Sequence, residues 1–290
     1  MQTFNEYSAE EIRQMTVVAG DSMEITPETV YAEGRLDLLP YVNKIVESLM
    51  LPGSGIAGFD NLSRLQELAE AGHSCLLMVE HYSNLDLPEF YYFLGRHGAR
   101  GEALQRAVIA IAGMKLTLDN PGVAAFASVY PRIIICPSRT VVHLDPGKDK
   151  DRLLAIASIN RAAAKALNDV KKRGKIILVY PSGTRYRPWA PDSKRGVREI
   201  DTYVKGFDYM CFVSKTGVAM RVREDAEDDM LADYMVPDVV RFTVSEPVSC
   251  EAFREKVRAA TPEHADKKQA VADEIMRRLE EMHNAAVISE

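Results

Sequence analysis

No apolar run in this chain approaches the ~18 residues a membrane-crossing helix needs. The amino terminus, MQTFNEYSAEEIRQM, lacks a basic region followed by an apolar one, so it offers no secretory leader. These two absences lead us to expect a soluble, cytoplasmic protein, whose contact with lipid goes no further than peripheral association. Cysteine is scarce as well. The four thiols, Cys75, Cys136, Cys211 and Cys250, are widely spaced, and none forms a C-x-x-C pair. Three have bulky apolar neighbours, so buried free thiols in a reducing compartment are expected rather than disulfides or metal ligands. Internal repeats and low-complexity tracts are absent. So are a G-x-S-x-G nucleophile elbow and any histidine spacing suited to a metal.

The 290 residues are 47% hydrophobic, enough to bury a full core as one large domain or as a domain with an appendage. The net charge of −6 is unevenly spread: residues 132–205 hold 17 Lys+Arg against 7 Asp+Glu. A basic middle in an acidic chain fits an anionic ligand collected there, and equally a set of solvated helix faces.

Residues 1–52 read as a helical amino-terminal unit, and residues 53–290 as the main domain. In the first unit, Ser8 to Glu11 (SAEE) resembles a capping box, and TPET (Thr26 to Thr29) offers a helix start with proline at its first position. Leu38, Leu39, Val42, Ile45, Val46 and Leu49 then share one helical face. GSGIAG, residues 53–58, matches G-x-G-x-x-G, but an amphipathic helix and Pro52 precede it where a dinucleotide site requires a strand. It is read as a flexible joint. Beyond it, CLLMVE, AVIAIA, RIIIC, KIILVY, YMCFVS and DVVRFTV are each about as long as a buried strand. Helix-like stretches alternate with them, clearest in DRLLAIASINRAAAKALNDVKKRG, and TPEHADKKQAVADEIMRRLEEMH closes the chain as a surface helix. The expected fold is α/β, a mostly parallel mixed sheet covered by helices on both faces.

Parallel sheets bind ligands beyond the carboxyl ends of their strands. Those ends lead into His81, into Ser138 and Arg139, and into PSGTRYRP, residues 181–188. In HYSNLD, His81 is a candidate general base and Asp86, five residues on, a candidate partner to fix its tautomer. Asp86-Leu87-Pro88-Glu89 equally reads as a helix N-cap, which would leave His81 unassisted. Ser182, Gly183 and Thr184 form a small-residue loop able to hold phosphate oxygens, and Arg185 and Arg187 supply forked donors matched to phosphate. His143 is a further candidate for the same region, whereas His97, His264 and His283 read as surface residues. With no protein nucleophile in view, a base here would activate a substrate hydroxyl.

These residues resemble the glycerolipid acyltransferases. HYSNLD is similar to that family's H-x4-D signature, and IILVYPSGTRYRP to its proline-glycine-arginine block. The P-S-G variant followed by arginine, one residue, arginine and proline looks like the soluble plastid-type glycerol-3-phosphate enzymes, whereas membrane-bound lysophosphatidate acyltransferases usually carry P-E-G-T-R. IAGFDNLSRL and IAGMKLTLDNPGVAAFASVYPRIIICPSRT are similar to connecting runs of the same family, so the likeness covers roughly residues 55–215. A helical amino-terminal domain is also a plastid-type feature. The chain departs from that pattern at Thr140 and Val141, where those enzymes have a lysine-histidine pair.

The resemblance implies transfer of a fatty acyl group from an acyl-carrier-protein or coenzyme A thioester to the 1-hydroxyl of glycerol 3-phosphate. In that role His81 and Asp86 are catalytic, and Arg139, Arg185, Arg187, Ser182, Gly183 and Thr184 hold the phosphate. It implies no metal, no cofactor beyond the acyl thioester and no nucleic-acid partner. Two other readings stay open: a 1-acylglycerol-3-phosphate acceptor, and a non-catalytic binder of phospholipid or acylated carrier.

Overall fold

The structure, a computed structural model, describes residues 1–19, 24–114, 121–226 and 229–288. Its strands are β1 (Tyr31–Ala32), β2 (Gly55–Ala57), β3 (Cys75–Val79), β4 (Val108–Gly113), β5 (Arg132–Ile135), β6 (Ile176–Val179), β7 (Tyr209–Thr216), β8 (Met220–Arg221), β9 (Tyr234–Met235), β10 (Arg241–Val244) and β11 (Val248–Ser249). The helices are α1 (Phe4–Tyr7), α2 (Ala9–Ala19), α3 (Leu39–Glu47), α4 (Phe59–Glu70), α5 (Asp86–Gly95), α6 (Gly98–Ala107), α7 (Pro121–Ser128), α8 (Ser138–Val141), α9 (Lys150–Lys171), α10 (Ile200–Lys205), α11 (Cys250–Ala260) and α12 (Lys267–Ile288).

Among the described residues one nine-stranded sheet runs β1-β5-β4-β6-β3-β7-β10-β2, with β11 also pairing β7. The central pairs β5–β4, β4–β6, β6–β3 and β3–β7 are all parallel, while β1, β10 and β11 join antiparallel. The fold is therefore α/β with a mostly parallel mixed sheet. Successive residues of a strand face opposite sides, and in β3 this divides the core. Cys75, Leu77 and Val79 join a cluster with Phe4, Met15, Val42, Leu65 and Phe90, from the helices on one face. Leu76 and Met78 join Ile159, Val204, Val271 and Ile275, from helices on the other. With both faces covered, the central strands are almost wholly apolar, as a parallel sheet requires. No described helix is long and apolar enough to cross a membrane.

All four cysteines are buried free thiols, and burial pushes Cys75 and Cys250 up to about 12. They stay protonated near neutrality and are poor nucleophiles.

Several local expectations are corrected. The capping box is at Thr3 and Glu6, whose side chains and backbone amides bond reciprocally, whereas Ser8 closes α1 as a buried residue. TPET forms a turn, because the Thr29 hydroxyl accepts from the Thr26 amide at 2.8 Å and donates to the Glu24 carbonyl at 2.6 Å. GSGIAG contains the edge strand β2, parallel to β10 through Gly55–Arg241, Ile56–Phe242 and Ala57–Thr243. Such a short glycine-rich strand has too few side chains to show a period. The last helix starts at Lys267 rather than Thr261, since the Asp266 carboxylate accepts from the amides of Lys268 (2.9 Å) and Gln269 (3.2 Å).

The amino-terminal helices share the core of the sheet. Phe4 is fully buried, edge-on to Phe126 with centroids 5.3 Å apart, and its amide donates to the Asp233 carbonyl at 2.7 Å. Phe4→Ala is expected to destabilise the whole chain by about 3–5 kcal/mol, the usual range for an aromatic core truncation. The midpoint of urea unfolding, with an unchanged slope, measures it.

Candidate active site

The carboxyl ends of β3, β5 and β6 point the same way, because these strands belong to one parallel set. β3 ends at Val79, and the next residues, Glu80 and His81, leave the sheet ahead of α5. The His81 Nδ1–H donates to Asp86 Oδ2 at 2.8 Å. This bond leaves Nε2 as the basic ring nitrogen. Tyr180 stacks on the imidazole with centroids 3.9 Å apart and planes 14° off parallel, so the ring is held on a face as well as at an edge.

Asp86 is the first residue of α5 and not its N-cap, which is Leu85 without a side-chain cap bond, so the N-cap reading is corrected and His81 keeps its partner. Its Oδ2 accepts from the amides of Tyr82 (2.6 Å) and Ser83 (2.9 Å) in addition to His81. Its Oδ1 accepts from the Ser83 hydroxyl at 3.0 Å and from Lys215 Nζ at 2.5 Å. The amides it serves lie upstream of the helix, so the same turn that satisfies the backbone delivers the carboxylate to His81.

Lys215 went unrecognised in the sequence, where the apolar run YMCFVS stops one residue short of it. It is fully buried on β7, on the face of Cys211 and Val213, between Asp86 and Glu89. A lysine at an inward position of a strand period is the signal that would have found it. Burial alone would raise the pKa of Asp86, but the ammonium of Lys215 and the bond from His81 outweigh it and hold the carboxyl well below the usual range. Burial favours the neutral form of Lys215, and the two carboxylates reverse that, keeping it an ammonium. Burial pushes Glu89 up to about 7; Lys215 opposes the shift and Asp86 adds to it.

The loop after β6 meets His81 directly, since the Tyr186 amide donates to the His81 carbonyl at 2.8 Å. Gly183 takes a left-handed conformation (φ 63°) that makes the turn. Its amide donates to the Tyr180 carbonyl at 2.9 Å, and the Ser182 hydroxyl to the Thr184 carbonyl at 2.7 Å. The two groups expected to face a phosphate thus close the loop on itself, because a tight turn satisfies its own donors first. Arg185 is buried against the Asp233 carboxylate in a close ion pair. Burial pushes that carboxyl up, and the guanidinium pulls it part of the way back. Arg187 is half-buried, its amide donating to the Ser193 hydroxyl at 2.8 Å. Thr184 is half-buried beside it.

Ser138 and Arg139 lie on α8 after β5, where the Ser138 hydroxyl donates to Glu199 at 2.5 Å; the side chain of Arg139 lies outside the described residues. Residues 115–120 of the run before β5 lie outside them as well. His143 is exposed, as are His97 and His264. His283 is not a surface residue of that kind. It reaches back from α12 to Glu80 Oε2 at 3.1 Å and the Tyr82 hydroxyl at 3.2 Å, on either side of His81 in the chain. A small cleft lined by Glu80, His81, Tyr82, Ser182, Tyr186, Lys194 and Met276 opens here. Lys194, like Lys215, is a cation that sequence reading missed.

A histidine oriented by a buried carboxylate, with cationic side chains on the adjoining loop, suits proton abstraction from a hydroxyl on an anionic substrate. A family model described as Acyltransferase matches residues 60–237, more than half of the chain and including β3, β6, His81, Asp86 and the 181–188 loop. Comparison with curated proteins gave no match.

The raised pKa of Glu89 has a measurable sign. Unfolded, the group titrates near 4.5, and folded near 7. The folded state binds the proton more tightly, so the stability Glu89 contributes is full below pH 4.5 and lost as pH rises through about 7. Asp86 is shifted the opposite way and loses its contribution only in acid. Glu89→Gln removes the first dependence, so its stability relative to the parent is expected to improve between pH 4.5 and pH 7, as measured by urea unfolding at each pH.

Proposed function

The chain belongs to the Acyltransferase family, and from that premise we propose that it moves a fatty acyl group from an acyl thioester to the 1-hydroxyl of glycerol 3-phosphate. The observation that carries this reading is the 2.8 Å bond between His81 Nδ1 and Asp86 at the sheet edge, with the arginine loop hydrogen-bonded to the same histidine.

Nε2 of His81 takes the proton of the acceptor hydroxyl as its oxygen attacks the thioester carbonyl. Asp86 stabilises the imidazolium that forms. The tetrahedral intermediate collapses, the C–S bond breaks, and the imidazolium returns its proton to the departing sulfur. A positioned general base of this kind contributes about 10²–10⁴ in rate. Holding the acceptor by its phosphate sets the hydroxyl against the base, so orientation supplies a further share.

The phosphate grip falls to Arg187 and Arg139, with Thr184 and Lys194 at the same edge. Arg185, buried against Asp233 in the same loop, adds its positive charge to this edge. Ser182 and Gly183 shape the loop. The choice of glycerol 3-phosphate over a 1-acylated acceptor is supported by the P-S-G form of the loop. The exposed cations of α9 and the turn after it, Arg152, Arg161, Lys165, Lys172 and Arg173, favour an anionic donor, either an acidic acyl carrier protein or coenzyme A. Cytoplasmic location with peripheral contact to lipid belongs to the same reading.

Thiol release from acyl-coenzyme A and acylated carrier protein, each with glycerol 3-phosphate and with 1-acylglycerol 3-phosphate, tests the assignment. Turnover with the first acceptor supports it, preference for the second transfers it to the later acylation, and binding without thiol release makes the protein a non-catalytic binder. His81→Ala is expected to lower kcat by at least ~10²-fold with the fold intact. Arg187→Ala is expected to raise KM for glycerol 3-phosphate by about 10- to 100-fold and change kcat less, as the loss of a charged hydrogen bond would.

A further inference from the structure

Stability alone does not account for Lys215. A buried ion pair gains little over an apolar side chain of the same volume, because both charges must leave water. β7 is otherwise apolar on this face through Cys211 and Val213, and a methionine at 215 would continue it. The chain instead places a fully buried ammonium 2.5 Å from Asp86 Oδ1 and 2.6 Å from Glu89 Oε2, beside the Phe242 ring.

What the ammonium does follows from the shape of a carboxylate. The terminal torsion of aspartate is soft and roughly two-fold, so its orientation is set by the donors around it. At Asp86, Oδ2 takes His81 and the amides of Tyr82 and Ser83, while Oδ1 takes the Ser83 hydroxyl and Lys215. Among the described residues Lys215 is the one charged donor on the far oxygen, so it anchors the plane of the group from behind. It also stands between two buried carboxylates. Without it Asp86 and Glu89 would be like charges sharing an apolar site, where one takes up a proton. A protonated or rotated Asp86 no longer dictates which nitrogen of His81 carries hydrogen.

We infer that Lys215 is a positioning residue, which never touches substrate but fixes Asp86 as an oriented anion and through it keeps Nε2 of His81 the basic nitrogen. The kinetic consequence rests on the acyl-transfer reading; the structural consequence does not.

Lys215→Met alone leaves two uncompensated buried carboxyls and is prone to unfold, so the decisive variant is Lys215→Met/Glu89→Gln, compared with Glu89→Gln. Removing one cation and one carboxylate together keeps the charge of the pocket balanced. Two measurements are made: the ¹⁵N spectrum of the His81 ring in substrate-free protein, and kcat and KM with acyl-coenzyme A and glycerol 3-phosphate. The expected result is a folded double variant in which the Nδ1–H tautomer signal of His81 is lost and kcat falls about 10²-fold, with both KM values unchanged. If lysine only balances charge, the double variant keeps the tautomer signal and the kcat of Glu89→Gln, and that result overturns the inference. Should the parent protein transfer no acyl group to any acceptor, the proposed function fails by itself. The spectrum then decides for Lys215: a lost signal supports positioning, and a retained one refutes it.

Discussion

One buried carboxylate organises the functional edge of this molecule. Among the described residues Asp86 receives five hydrogen bonds, from His81, Tyr82, Ser83 and Lys215, so it joins the end of β3, the start of α5 and the end of β7. A carboxylate so surrounded has no orientation left to choose, and a histidine bonded to it inherits that fixity. Tyr180 on the ring face completes the constraint from β6's side. Groups held this way need little rearrangement when charge develops, which is the condition for efficient proton transfer in a shielded site.

The rest of the fold serves to bring remote pieces to that carboxylate. The parallel order of β5, β4, β6, β3 and β7 sends their carboxyl ends to one edge, and the 181–188 loop joins His81 through a single amide. From the other direction, α1 docks on the backbone of Asp233, whose side chain pairs with Arg185. The amino-terminal helices are therefore tied to the arginine loop through one residue. α12 does likewise at the opposite flank, where His283 meets Glu80 and Tyr82, and Lys194 meets Glu280 at 3.3 Å. Glu80 also accepts the Lys215 amide at 2.9 Å, so the α12 flank returns to the Asp86–Lys215 axis.

What was legible in the sequence had a period or a fixed offset. Six apolar runs became β3, β4, β5, β6, β7 and β10, since a buried strand declares itself by composition over a handful of residues. The stripe from Leu38 to Leu49 became α3 for the same reason. His81 and Asp86 stood out because their separation is short enough for local backbone to fix their contact. β2 escaped because three small residues carry no pattern, and its strand character comes from β10, which is remote in the chain. Lys215, Asp233 and His283 escaped for a related reason: each is unremarkable among its sequence neighbours and acquires meaning only from a partner over 45 positions away.

By itself, the order of residues determined the alternation of strand and helix, the thiols' burial and the presence of an imidazole five residues before an acid, because each depends on neighbours in the chain. Only the tertiary structure decided that Asp86 serves backbone, histidine and lysine at once, that Ser182 and Gly183 bond within their own loop, and that Arg185 faces Asp233. Those outcomes are competitions among donors and acceptors brought together by the sheet, and burial sets the stakes: away from water, each group must settle on the partners that packing supplies.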